Sequence, residues 1–248
     1  AFGLAAARIG DAAHRRQDVL AYAELHIEQG PVLESLDLPV GVVTAINGGN
    51  RISIEITGSA GHAGTVPMTL RRDALAAASE CVLAIERLAR RATDVVATVG
   101  RLVVSPGAVN VIPGHVRLTL DVRAPTDDAR HAARAAMESE CRAIAQRRRI
   151  DIAMSPLWDA RTSACDVHLQ QQFAAAVEAE GLRVHRLPSG AGHDGMALID
   201  IAPIGMLFVR CKAGISHNPA EAVDVADVDA GARVLLRFIR HFQPPDAR

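Results

Sequence analysis

Ten histidines are spread along the 248 residues, and four of them sit where an imidazole could do chemistry. His26 closes an apolar run, residues 21–27, and is followed by Glu28, Gln29, Gly30 and Pro31. That polar stretch falls at the carboxyl end of a predicted strand, where open α/β sheets place their ligands. A strand-end histidine bonded to a backbone carbonyl would read the same way, so the two readings stand side by side. His217 lies in Gly214-Ile215-Ser216-His217-Asn218-Pro219-Ala220-Glu221. Asn218 suits a helix cap, Pro219 the first helical position, and Glu221 the far member of a capping box. An imidazole just ahead of such a turn can point into a cleft, or simply into solvent. His62 is flanked by Gly61 and Gly64, and His193 by Gly192 and Asp194. Glycine lets backbone approach another surface closely, which suits a ligand contact or a subunit contact. His14, His115, His131, His168, His185 and His241 fall on helices, strand ends or charged surfaces without useful neighbours.

Two further polar residues stand out in apolar strand context. Arg123 ends the run 118–122, and its planar fork can take a carboxylate through two parallel hydrogen bonds. Asn110, ahead of Val111-Ile112-Pro113-Gly114, both donates and accepts, which suits an amide or ureido group. A surface salt bridge for the arginine and a turn for the asparagine are the plain alternatives.

These residues need a scaffold, and composition allows one. Hydrophobic residues make up 49% and charged residues 22% of the chain, so it should fold around a sizeable core. Aromatic residues are only 3%, leaving that core to Val, Ile, Leu and Ala. The formal net charge of -1 supplies no field for a nucleic acid or an anionic membrane, and neither is expected as a partner. Cys81, Cys141, Cys165 and Cys211 form no Cys-x-x-Cys pair, and no run has the length of a membrane span, so a reducing cytoplasm is the expected compartment. The chain starts at Ala1 in an alanine-rich run that reads as the middle of a helix, so its left end is expected not to be a natural beginning.

Periodicity predicts strands at 21–27 and 40–46, then a boundary in Asn47-Gly48-Gly49-Asn50, where positive backbone angles would be at home. Beyond it come a strand over 51–57, an amphipathic helix through Leu75, Ala78, Val82, Ile85 and Leu88, strands over 95–104 and 116–123, a helix over 127–148 and a short strand over 150–154. That β-α-β-β-α-β order is the split βαβ pattern of ferredoxin-like domains. Past Pro156 the pattern alternates: helix 166–180, strand 184–187, a loop over 189–195, strand 204–209 and helix 227–242. The expected architecture is an α/β domain made of residues 1–47 and 157–248, interrupted by a ferredoxin-like insert over 48–156.

Five blocks in order carry a family likeness: Glu24-Leu25-His26-Ile27-Glu28-Gln29-Gly30-Pro31; Gly61-His62-Ala63-Gly64-Thr65-Val66-Pro67-Met68 with Arg71-Arg72-Asp73; Asn110-Val111-Ile112-Pro113-Gly114; Ser189-Gly190-Ala191-Gly192-His193-Asp194; and Ser216-His217-Asn218-Pro219-Ala220-Glu221. Together they resemble the hydantoinase/carbamoylase amidases among the M20-type metallohydrolases, which include N-carbamoyl-L-amino acid hydrolases and allantoate amidohydrolases. The resemblance implies a catalytic domain with two divalent ions, drawn from zinc, manganese, cobalt or nickel, and a lid that also makes a homodimer. It implies that His26 binds one ion and His217 the other. Gln29, Asn110 and Arg123 would hold the ureido and carboxylate groups of the substrate, Gly190 would contact it through backbone, and His62 would polarise the scissile carbonyl in the partner's site. The family's remaining ligands, a His, a bridging Asp and a Glu-Glu pair, come from a segment ahead of Ala1, so these residues alone are expected to be nearly inactive. A dimerising or carboxylate-binding module without catalysis, and an M20 dipeptidase, are the alternatives.

Overall fold

The computed structural model describes residue 3 and residues 5–245. In chain order its regular elements are β1 (Tyr22–Ile27), α1 (Val32–Ser35), β2 (Val40–Ile46), β3 (Gly48–Thr57), β4 (Gly61–His62), α2 (Ala74–Arg91), β5 (Val96–Ser105), β6 (Val111–Ile112), β7 (His115–Ala124) and α3 (Asp127–Arg148). They continue with β8 (Asp151–Ala160), β9 (Ser163–Ala164), α4 (Val167–Ala179), β10 (Arg186–Ser189), α5 (Gly195–Leu198), β11 (Ile204–Val209) and α6 (Val225–Arg240). The chain divides into two units, one made of residues 1–46 and 163–248, the other of residues 47–162. The first residues were expected to be α-helical; among those described, Ala6–Ala12 form an exposed 3₁₀ helix, while residues 1, 2 and 4 lie outside the described set.

In the first unit the sheet order is β1-β11-β2-β10, with β9 added to β2. β1 runs parallel to β11 and β2 parallel to β10, while β11 and β2 are antiparallel. Every residue of β11 is buried, as a central strand covered on both faces must be. One face packs Val42 and Leu207 against α4 and α6, where Phe173 and Phe238 stack with ring centroids 4.0 Å apart. The other carries Val43, Ile46, Ile204, Met206 and Phe208. Because side chains alternate along a strand, Tyr22, Glu24 and His26 of β1 share one face and Leu25 the other, where it joins the α4/α6 layer.

The second unit is an antiparallel sheet of order β5-β7-β3-β8 with α2 and α3 on one face. Ile52, Ile54 and Ile56 of β3 and Leu118, Leu120 and Val122 of β7 point into that layer against Ala78, Cys81, Ile85, Met137 and Cys141. Its element order, β3-α2-β5-β7-α3-β8, is the β-α-β-β-α-β order of a ferredoxin-like sandwich.

Two expectations are corrected. Gly48, Gly49 and Asn50 are not a loop but the start of β3, and neither glycine has a positive φ. They are glycines because a Cβ at Gly49 would lie 2.5 Å from the Trp158 ring and one at Gly48 2.7 Å from the Thr162 amide nitrogen. The unit therefore begins at Asn47. It also ends at Thr162 rather than 156, because β8 continues through Pro156 to Ala160. β8 is an edge strand, and its pairing with β3 shifts register beside Pro156, so the missing proline N–H interrupts little. Among the described residues the four cysteines are free and buried, and no helix is long and apolar enough to cross a membrane.

Candidate metal and substrate site

In the first unit, the face of β1 that carries Tyr22, Glu24 and His26 meets His193. One ligand atom from each of Glu24, His26 and His193 lies within 4.8 Å of the others, a grouping of the kind that holds a metal ion. The His26 and His193 rings meet edge to face, with centroids 4.6 Å apart, and Phe208 flanks His193 at 5.7 Å. His26 Nδ1 is 2.8 Å from the Ile27 carbonyl oxygen. That contact fixes the proton on Nδ1 and leaves the Nε2 lone pair free, so the backbone-bonded and ligand readings of His26 are one arrangement rather than two.

His193 has a fully buried side chain. Its Nε2 is 2.6 Å from Ser189 Oγ, and its Nδ1 is 3.3 Å from Glu24 Oε1 without a hydrogen bond on it. Burial, reinforced by the neighbouring His26, pushes the His193 pKa below its ordinary value against the pull of Glu24, favouring the neutral ring that a metal needs. The Tyr22 hydroxyl donates to Glu24 Oε2 at 3.1 Å, and burial together with that carboxylate pushes the phenol up to about 12, so it remains a donor. Burial also pushes the Cys165 thiol up to about 12, leaving it protonated.

The residues just after His26 meet the segment that carries His217. Gln29, at φ 57°, donates from Nε2 to Ser216 Oγ at 2.7 Å, and Ser216 Oγ lies 2.7 Å from His217 Nδ1. Gly214, at φ +64°, sits so close that a Cβ would be 2.8 Å from the Gly30 carbonyl carbon. The expected helix start at 217–221 does not form. Asn218 Oδ1 accepts from the Ala220 amide and Glu221 Oε2 from the His217 amide, closing a turn, and the next helix begins only at Val225. His217 itself is exposed, at φ 56°, and is not one of the three grouped donors. Gly190, after β10, is exposed, and a Cβ there would meet nothing within 4 Å.

In the second unit the structure brings His62 and Asn110 together. His62 on β4 pairs with Val111 on β6, and the Ala63 amide donates to the Asn110 carbonyl at 2.9 Å. Arg71 clamps this loop, donating to the Val66 and Ala63 carbonyls at 3.0 and 2.5 Å. His62 Nδ1 accepts the Gly64 N–H at 3.0 Å, which puts the ring proton on Nε2 and makes an outward donor. Arg123 lies elsewhere. It is near one end of β7 while Asn110 precedes the other end at His115, and the eight residue steps from His115 to Arg123 span roughly 26 Å. Its fork is engaged with both oxygens of Asp121, at 2.8 and 3.0 Å, and Arg51 joins the same carboxylate at 3.0 Å. Burial opposes ionisation of Asp121, but the two guanidinium groups prevail and hold it below the usual carboxylate range.

Glu24 was not singled out from sequence as a site residue, and His193 was left ambiguous. The signal for Glu24 was present: a carboxylate two residues from His26 on a strand must share its face. That His193 belongs with them depends on a pairing across 167 positions of chain, which spacing cannot reveal.

Comparison with known proteins identifies the family of the chain. Residues 3–241 match the peptidase family M20/M25/M40. The chain is 43% identical over 237 residues to an N-carbamoyl-L-amino acid amidohydrolase of Geobacillus stearothermophilus, covering 96% of this chain and 58% of that protein. It is 40% identical over 263 residues to a probable allantoate deiminase of Oryza sativa subsp. japonica, covering 93% of this chain and 53% of that one. A solved amidase of the hydantoinase/carbamoylase family from Burkholderia multivorans superposes with a TM-score of 0.86 at 39% identity, over 91% of this chain and 56% of the other. The chain thus spans a little over half the length of the curated relatives it matches. With a family match over nearly all its residues, the chain belongs to the peptidase family M20/M25/M40.

Proposed function

We propose that this chain is part of a metal-dependent amidohydrolase that cleaves the carbamoyl C–N bond of N-carbamoyl-L-amino acids or allantoate, releasing ammonia and carbon dioxide. The observation that carries the reading is the half-buried Glu24, His26 and His193 group, whose nitrogen and oxygen donors suit a divalent ion such as zinc. In this reading His26 holds one of two ions and His217 the other. When bound, such ions activate a water and polarise the scissile carbonyl. The chain's residues do the rest. Gln29 and Asn110 hold the ureido group, and Gly190 offers backbone beside it. Arg123 takes the α-carboxylate, which must displace or share Asp121 on the guanidinium. His62 donates its Nε2–H to the carbonyl oxygen as negative charge builds there.

The separation of Arg123 from Asn110 and His62 along β7 supports a homodimer, since one small substrate cannot touch both ends of the same strand. In this reading His62 serves the site of the partner copy. These 248 residues alone are expected to turn over slowly or not at all. The deciding experiment joins these residues to the ligand-bearing segment that the reading calls for, incubates the product with zinc, manganese, cobalt or nickel, and compares ammonia release from N-carbamoyl-L-amino acids and allantoate with dipeptide cleavage. Ammonia release supports the reading. Peptide cleavage in its place would make the protein a dipeptidase. Calorimetric binding of a carboxylate without turnover would make the chain a non-catalytic module.

A further inference from the structure

Arg123 is already held by a carboxylate of its own chain, and the register of the second unit's sheet explains how. Side chains alternate along a strand, so Asp121 and Arg123 of β7 and Gly49 and Arg51 of β3 lie on the face opposite Ile52, Leu120 and Val122, which pack on α2 and α3. Trp158, Arg51 and Asp121 stand directly opposite one another on three neighbouring strands, and Arg123 stands opposite Gly49 in the next row. The Arg51 guanidinium carbon lies 5.0 Å from the Trp158 ring centre, and its Nε donates to Asp121 Oδ2 at 3.0 Å. Asp121 also accepts side-on from Arg123, Nε to Oδ1 at 2.8 Å and Nη2 to Oδ2 at 3.0 Å. Gly49 makes room for this group, since a Cβ there would lie 2.5 Å from the Trp158 ring and 3.7 Å from Arg123 Cγ.

A guanidinium offers two edges that fit a carboxylate, Nε–Nη2 and Nη1–Nη2. Asp121 takes the first, and the fork cannot turn on its long stem without breaking both parallel bonds. Burial opposes ionisation of Asp121, but Arg123 and Arg51 overcome it, so the clamp stays charged at neutral pH. We propose that Asp121, braced by Arg51 and Trp158, is a positioning residue for substrate recognition: it occupies one edge of Arg123 so that the Nη1–Nη2 edge is the one that receives the α-carboxylate. The incoming group then shares Arg123 with Asp121 and does not displace it. Affinity comes from preorganisation, because an arginine fixed before binding has little rotamer freedom left to lose. Two carboxylates on one guanidinium repel each other, and Arg51 supplies the second positive charge that offsets the repulsion. Asp121 has this role only if Arg123 receives the carboxylate, as in the reaction proposed for the protein.

The test titrates the full 248-residue chain with N-carbamoyl-L-alanine, and with its amide as the control that lacks the carboxylate. Trp158, the single tryptophan of the chain, reports occupancy by fluorescence, and the arginine Nε–H signals in nitrogen-edited NMR report whether Arg123 is held. The parent chain should bind the acid saturably and the amide at least about tenfold more weakly, with the Arg123 Nε–H slow to exchange before ligand is added. Asp121→Asn should weaken acid binding by more than about tenfold and return the Arg123 Nε–H to fast exchange, while Asp121→Glu should recover part of both. Circular dichroism checks that each variant is folded. Arg123→Met separates the two ways of failing. If it binds the acid as the parent does, or if the parent binds no acid, the carboxylate is not read by Arg123, and Arg123 and Asp121 lose their roles together. If it abolishes binding while Asp121→Asn stays within about tenfold of the parent, or binds more tightly, Arg123 keeps its role and the assignment of Asp121 is overturned. An unchanged Arg123 Nε–H in Asp121→Asn overturns it as well.

Discussion

Replacing Arg130 with methionine should loosen the second unit where the chain enters and leaves it. The Arg130 guanidinium, 2% exposed, donates to Asn50 Oδ1 at 2.5 Å, Asp159 Oδ1 at 2.9 Å and Asp127 Oδ1 at 2.9 Å. Asn50 is the third residue of β3, and Asp127 Oδ1 also accepts the N–H of Thr162, the last residue of the unit. Methionine fills similar space but strands the buried Asn50 oxygen, which costs about 1–3 kcal/mol. The side chains of Asp127 and Asp159 are 42% and 54% exposed and can turn to water, so each lost pair adds at most about 1 kcal/mol. The expected loss is therefore about 3 kcal/mol, a fall of roughly 10 °C in the unfolding midpoint for a domain of this size. Urea unfolding followed by circular dichroism measures it, with Asp159→Asn as a control that should cost under about 1 kcal/mol. Adding Asn50→Leu to Arg130→Met should restore part of the loss, because an apolar pair leaves no orphaned acceptor. An Arg130→Met loss below about 1 kcal/mol, or a control as damaging as the variant, would refute the claim that this network closes the unit.

Gly205→Ala on β11 should cost about 1–3 kcal/mol, since the new Cβ would lie 2.9 Å from Leu169 Cβ and 3.1 Å from the Phe173 ring; a neutral urea midpoint would show that α4 can give way. Hydrogen bonds from Arg148 and Arg147 hold Glu80 below its ordinary 4.5, despite some burial, so its contribution is present above that value and lost as pH falls through the lower folded value. Stability measured from about pH 5 to about pH 3 should fall less steeply in Glu80→Gln than in the parent chain, and parallel curves would remove the ion pair from the account. Arg71→Ala removes two charge-assisted bonds from the 62–66 loop, and amide exchange at Gly64 should quicken roughly 10- to 100-fold while core amides are unchanged; unaltered Gly64 protection would mean that the loop holds itself.

The elements were legible because their periodicity is the packing. The Ile52, Ile54, Ile56 alternation is the buried face of β3, and the stripe through Ala78 and Ile85 is the face of α2 against the sheet. Legibility failed where a residue's meaning depends on a distant neighbour. Gly48 and Gly49 read as a loop because nothing nearby announces Trp158 and Thr162, whose closeness forbids a side chain. Pro156 read as a stop because an edge strand, where it is tolerated, is a property of the whole sheet. Asn218-Pro219 read as a helix start, but the turn closes on Glu221 and no helix follows until Val225.

The same limit governs the chemistry. His26 and His62 are identical in sequence, yet the structure makes them opposites. At His26 the Nδ1–H donates to the Ile27 carbonyl and leaves Nε2 with a lone pair, fit for a cation. At His62 the Gly64 N–H donates a hydrogen bond to Nδ1 and leaves Nε2–H as a donor, fit for an oxyanion. Gly64 is what permits the second arrangement, because a Cβ there would lie 3.3 Å from the His62 ring. Gly64→Val should therefore push the His62 ring off the loop amide and free the Nδ1 tautomer. Nitrogen chemical shifts of the two ring atoms read this directly: the parent His62 should show a protonated Nε2 and the variant a mixture of tautomers, while the His26 shifts stay fixed. Equal tautomer populations at His62 in both proteins would mean that the backbone does not set the proton, and the contrast between the two histidines would lose its physical cause.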